Sequence, residues 1–192
     1  MKRIFIIHGW TGHNNQDWFP WAKKEFTKLG YQVIVPEMPN SDNPQLESWL
    51  NKLTEVIGTP LTDDIYIGHS MSVLALLKYI DKFPENTKID KLISVAGWEK
   101  LSEEAVPLPE DKLIFHNWIK QKLDYVKIRK IVKSITAIFS DNDPWVPYIE
   151  NRKIFKDKLG SKIQLLKNMG HFMKSEGNVT ELPILVDLIR EN

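Results

Sequence analysis

The sequence predicts an α/β protein: a doubly wound, mostly parallel six-stranded sheet with helices on both faces. Three observations carry this. Short β-rich apolar runs recur along the chain, beginning with Ile4-Phe5-Ile6-Ile7. Between them lie longer stretches with apolar residues at helical spacing. Glycines and prolines such as Gly30, Pro36 and Gly68 mark the boundaries. Strands alternating with helices need crossover connections, which parallel sheets use.

Taken in order, Arg3 to His8 reads as a strand buried on both faces. Gly9 to Asn15 is a loop, and Asp17 to Leu29 a helix ending at Gly30, a left-handed cap position. Tyr31 to Val35 is the second strand, stopped by Pro36. Ser41-Asp42-Asn43-Pro44 starts a helix whose apolar face is Leu46, Trp49, Leu50 and Leu53. Asp64 to Ile67 is the third strand, Ser70 to Phe83 a helix, and Lys91 to Val95 the fourth strand. Ser134 to Phe139, Lys162 to Leu166 and the helices Tyr148 to Leu159 and Glu181 to Arg190 complete the pattern. Gly97 to Asp124 breaks it, with prolines at 107 and 109 and the aromatic pair Phe115 and Trp118. Two readings stand for this insertion: a lid over a site, or an irregular connection. The expected organisation is one domain over 1–192 with a small lid insertion at 97–124.

Composition narrows the function. The 192 residues are 42% hydrophobic and 27% charged, ordinary for a globular protein. Net charge is +1 and no basic patch is clustered, so neither nucleic-acid nor membrane binding is expected. Lys127 to Lys133, the densest basic run, reads as the solvated face of a short helix. The absence of cysteine excludes disulfides, thiolate catalysis and cysteine-bound zinc. No apolar run reaches the ~18 residues of a membrane span. The short apolar start lacks a signal-peptide cleavage site. The expected compartment is the cytoplasm.

The chemistry centres on Gly68-His69-Ser70-Met71-Ser72. A strand, a sharp turn and a helix put Ser70 at a helix N-terminus, the arrangement of a nucleophile elbow, G-x-S-x-G. Here Ser72 stands at the last glycine position, small enough to be tolerated at some strain. A serine nucleophile needs a base, and the base needs an orienting partner. His171, in Asn168-Met169-Gly170-His171-Phe172 after the last strand, shares the elbow's edge of the sheet. His69 adjoins Ser70 on a tight turn and points elsewhere. His8 reads as structural, and His13 and His116 lie in loops without a motif. The acid comes from Ser140-Asp141-Asn142-Asp143-Pro144-Trp145-Val146-Pro147. Asp143 is the candidate and Asp141 the competitor, able instead to bond turn amides. The backbone amides of Trp10 and Met71 are the candidate oxyanion hole. Trp98, Trp118 and Trp145, with Trp10, are candidates for an apolar substrate pocket. Trp21 and Trp49 read as core.

In this order (Ser70, Asp143, His171, with His8-Gly9 after the first strand) the chain resembles the α/β-hydrolase superfamily over essentially its whole length. It is similar, more narrowly, to the small serine hydrolases related to retinoblastoma-binding protein nine and the bacterial YdeN-type proteins. That likeness rests on Ile6-Ile7-His8-Gly9-Trp10, Asp17-Trp18, the elbow, Leu123 to Ile128, the Ser140 to Pro147 run and Gly170-His171-Phe172. The resemblance implies a compact α/β-hydrolase fold without the superfamily's first antiparallel hairpin, in strand order 2-1-3-4-5-6. Binding to the retinoblastoma protein is not expected, because the motif for it needs a cysteine.

The implied activity is hydrolysis of small carboxylic esters, or amides, through an acyl-enzyme on Ser70, with no cofactor and no metal. The competing readings are a non-catalytic interaction protein on the same fold, and a thioesterase or aminopeptidase. A missing pocket beside Ser70 would favour the first. An acidic group lining that pocket, able to hold a substrate amine, would favour an aminopeptidase. A haloalkane dehalogenase is disfavoured, because its nucleophile would be an aspartate where Ser70 stands.

Overall fold

The computed structural model describes residues 1–191. Six strands form one sheet: β1 (Arg3–Ile7), β2 (Gln32–Ile34), β3 (Ile65–His69), β4 (Ile89–Val95), β5 (Val132–Ser140) and β6 (Lys162–Leu166). Their order is 2-1-3-4-5-6 and every pairing is parallel. The helices are α1 (Phe19–Lys28), α2 (Leu46–Ile57), α3 (Met71–Asp81), α4 (Pro109–Ile119), α5 (Tyr125–Ile131), α6 (Tyr148–Leu159), α7 (Lys174–Gly177) and α8 (Ile184–Arg190).

Side chains alternate across each strand and so build two cores. Phe5, Ile7, Tyr66 and Phe139 face α2, α3 and α6. Ile4, Ile6, Ile65 and Ile67 face the opposite way, against Phe19, Ala22 and Phe26 of α1 and Leu185, Leu188 and Ile189 of α8. Both faces of the sheet are therefore covered, as parallel strands with no polar face require. Met71 through Ile80 in α3 are all buried. A helix without a polar stripe must be enclosed on every side, and here α2 and α5 flank it while the sheet lies beneath. That enclosure fixes the N-terminus of α3 beside the carboxyl ends of β1, β3 and β4.

The insertion is more regular than an irregular connection would be. Glu103–Ala105 forms a short 3-10 turn and Pro109–Ile119 a helix. Pro109 occupies the first helical position, where its missing N–H costs nothing, and Asp111 accepts from the Leu108 amide at 3.2 Å. Of the two prolines in the insertion, Pro109 is thus a helix start.

Candidate active site

Ser70 sits between β3 and α3 with φ 55° and ψ −125°. A non-glycine residue there stores on the order of 1–3 kcal/mol of strain, which the surroundings must hold. They do so by close packing. A Cβ on Gly68 would come within 3.0 Å of Val73 N, and one on Gly9 within 3.0 Å of Ser70 Cβ. Glycine at both places lets α3 and the loop after β1 close on the turn. The Ser70 amide donates to Val95 O at 2.9 Å. Ser72 does more than fit. Its Oγ accepts from the His69 amide at 2.8 Å and lies 2.7 Å from Ile7 O, to which it donates. It ties the elbow to the end of β1.

His171 Nδ1 lies 2.8 Å from Asp143 Oδ2, and both side chains are almost fully buried. The bond puts the proton on Nδ1 and leaves Nε2 as an acceptor. Asp143 Oδ1 accepts from the amides of Trp145 and Val146 at 2.9 and 3.1 Å, which aims the other oxygen. The residues before it hold the histidine loop by its backbone. Asp141 Oδ1 accepts from the Asn168 amide at 2.8 Å, Ser140 Oγ from Met169 at 3.0 Å, and Asn142 Oδ1 from Gly170 at 2.9 Å. Of the two candidate acids, Asp143 faces the imidazole and Asp141 bonds a turn amide. On the far side of the loop, Asp17 Oδ1 accepts from the Lys174 amide at 2.8 Å, and burial raises the Asp17 carboxyl.

The other histidines are engaged elsewhere. His69 Nε2 donates to the carbonyl of His171 at 2.9 Å, and burial pushes its imidazole down to about 3. It stays neutral, and its buried Nδ1 finds no partner among the described residues. His8 bonds Gly9 O through Nδ1 and the Met38 amide through Nε2, both at 2.9 Å, and burial lowers it too. His13 and His116 are exposed and do not line the cavity.

Ser70 and His171 line one cavity of about 260 Å³. Among the described residues no hydrogen bond joins the two side chains. Ser70 Oγ instead accepts from the Trp98 indole N–H at 3.2 Å. Apo sites often have such loose contacts, which tighten around substrate. The amides of Trp10 and Met71 make no hydrogen bond among the described residues, so both are available. Trp10, Trp98 and Trp145 all line the cavity, with Leu101 and Met173. Trp145 stands edge-on to His171, ring centres 4.8 Å apart.

Trp118 does not belong there. It is buried against Trp49 at 5.2 Å and donates to Pro44 O at 3.0 Å. The helical turn in α4 sends Phe115 toward Trp98 and Trp118, three residues on, into the core. Two features escaped sequence reasoning: the Trp98 bond to Ser70, and the carboxylate residues Asp42 and Asp111 in the cavity wall. Both depend on contacts between distant segments. Among the described residues no cluster of three or more His, Cys, Asp or Glu could hold a metal ion.

The sequence pattern of the family described as Serine hydrolase matches residues 4–191. The chain belongs to the serine hydrolase family. It is an enzyme of that class on an α/β-hydrolase fold. The YdeN protein of Bacillus subtilis (strain 168) is 28% identical over 188 residues, 98% of this chain and 94% of that one. The crystal structure of the B. subtilis ydeN gene product superposes with a TM-score of 0.87 at 27% identity, covering 98% and 97% of the two chains. Est1E from Butyrivibrio proteoclasticus, solved with ferulic acid bound, shares the fold at TM-score 0.73 and 17% identity, over 99% and 87%. No helix among the described residues is long and apolar enough to cross a membrane.

Proposed function

We propose that this serine hydrolase cleaves small carboxylic esters through an acyl-enzyme on Ser70. The observation that carries the reading is the buried Asp143–His171 pair opening on the same cavity as a strained elbow serine. His171 Nε2 takes the Ser70 proton as Oγ attacks the carbonyl carbon. Asp143 holds the imidazole in the tautomer that allows this and stabilises the imidazolium. The Trp10 and Met71 amides receive the oxyanion, each worth on the order of 3–4 kcal/mol at the transition state. His171 then returns the proton to the leaving alcohol. Water, activated by the same imidazole, releases the carboxylic acid. Residues 97–124 act as a cover within one hydrolase domain: Leu101, Ala105 and Asp111 line the cavity and Phe115 packs on Trp98. The cysteine-free chain suits the cytoplasm. A fluorophosphonate probe will label the wild type and leave Ser70→Ala unlabelled; equal labelling of both would remove Ser70 as nucleophile.

A second reading, hydrolysis of amine-bearing esters or amides, draws on one observation. Asp42 and Asp111 line the cavity, and among the described residues no lysine or arginine does. An ammonium on the substrate would gain attraction there, and aromatic faces would add to it. Replacing both with asparagine is expected to cut the preference for an ammonium-bearing ester over its neutral isostere about tenfold. Unchanged kcat/KM ratios would discard the amine reading and leave the esterase.

A further inference from the structure

A second cavity, of about 470 Å³, lies between α3, α4–α5 and α6, with Glu99 and Lys100, the residues after Trp98, in its wall. Its chemistry is unlike that of the first. Lys78 of α3 forms part of its wall, and the residue is only 3% exposed. Its ammonium has three N–H donors. One goes to Gln121 O at 2.9 Å, and Lys78 has no other hydrogen bond and no ion pair among the described residues. Lys100, Lys122 and Lys158 line the same cavity. The one carboxylate residue in the wall, Glu99, is already engaged. Its oxygens bond Tyr125 OH at 2.5 Å and Lys158 Nζ at 3.0 Å.

A buried ammonium with no ion-pair partner in contact is costly; burial lowers the Lys78 pKa, and the more distant charges of Glu99 and Asp81 offset that only in part. An anion entering the cavity would remove that penalty. The wall also decides which anion. A phosphate group needs a fan of donors, and the backbone amides of two wall residues, Glu99 and Lys100, are spent on Asn151 Oδ1 at 2.9 and 3.1 Å. Apolar surface from Leu74, Trp118 and Ile154 makes up much of the remainder. Lys158 is taken by Glu99, and Lys100 and Lys122 are exposed, so a single buried cation, Lys78, faces the apolar wall, which suits an organic monocarboxylate with a hydrophobic body.

We propose that this cavity is a binding site for apolar monocarboxylates, with Lys78 as the buried counter-charge and Lys100 and Lys122 at its rim. The site does not depend on Ser70 being a nucleophile. A small carboxylate is also the product that ester hydrolysis at Ser70 would release.

Titration calorimetry of the Ser70→Ala protein with benzoate and hexanoate, and with neutral benzamide, tests this. Both carboxylates are expected to bind saturably and benzamide not at all. Lys78→Met, which keeps the apolar stem, will weaken binding by at least about tenfold. The exposed pair Lys100→Ala/Lys122→Ala will weaken it severalfold and decides the matter should Lys78→Met not fold. Three results would overturn the site: no saturable binding, benzamide binding as well as benzoate, or carboxylate affinity unchanged in the folded lysine variants. Unchanged affinity in Lys78→Met would put the carboxylate in the Ser70 cavity instead. Without Ser70→Ala, Lys78→Met is expected to hydrolyse esters at the wild-type rate. Lys78-dependent binding in a chain without hydrolytic activity would keep this inference and remove the esterase.

Discussion

The elbow that carries Ser70 and the loop that carries His171 meet over one cavity, yet opposite means build them. The elbow is made mainly by backbone packing, with one side-chain tie from Ser72. A non-glycine residue is held at φ 55° by two glycine contacts and by a helix buried on all sides. The histidine loop is made by side chains. Ser140, Asp141, Asn142 and Asp143 each accept or position one group of residues 168–171. The difference teaches where each region is vulnerable. A strained backbone fails when its packing is loosened, and a loop held by polar side chains fails when one acceptor is changed. His69 joins the two, since it lies in the elbow and bonds the His171 carbonyl.

The largest effect should come from the loop. Asp143→Asn cannot favour the same imidazole tautomer, and kcat is expected to drop by on the order of 10⁴, with little change in fold. Asp141→Asn still presents an oxygen to Asn168 and should cost less than about tenfold in kcat. Equal losses would mean that both acids act on the loop alone. The next effect tests the bridge between the regions. His69 has an ordinary value of 6.5 and is held at about 3, so the unfolded chain takes up a proton below pH 6.5 that the folded chain refuses. Stability is complete above that pH and falls as pH drops toward 3, by up to about 1.4 kcal/mol per pH unit. His8, also lowered, acts in the same direction. Denaturant midpoints between pH 7 and 4.5 measure the slope, and His69→Gln should flatten it. A flat wild-type profile would show that His69 is not held neutral. The smallest effect probes the elbow. Ser72→Ala removes the hydroxyl that accepts from the His69 amide and donates to Ile7 O, and should cost about 1–3 kcal/mol in a denaturant titration. Ester turnover of the folded fraction should fall only modestly. No loss of stability would mean that packing alone holds the strain.

Much of this was legible in the chain because it depends on local order. Each strand was visible as an apolar run, and Gly68-His69-Ser70 stands at the turn a nucleophile elbow requires. Asp143 and His171 could be paired on paper because each follows a strand of a parallel sheet, so both lie on the same edge. What stayed hidden was set by contacts across the fold. Nothing near Ser72 announces that Ile7, sixty-five residues earlier, supplies its acceptor. Trp118 looked like a pocket residue because its segment lacked a visible helix; with α4 formed, it turns into the core against Trp49. Asp111 was one of many surface charges until the cap of α4 brought it to the cavity rim.

The bond from the Trp98 indole to Ser70 Oγ has an optical consequence. An indole's emission depends on what its N–H meets, and here it meets the oxygen that an acyl group would occupy. Each turnover would replace a hydroxyl with an ester oxygen, a poorer acceptor, and then restore it. Under the proposed mechanism the Trp98 indole would then report on Ser70, with its emission expected to follow acylation and deacylation without a chromogenic leaving group.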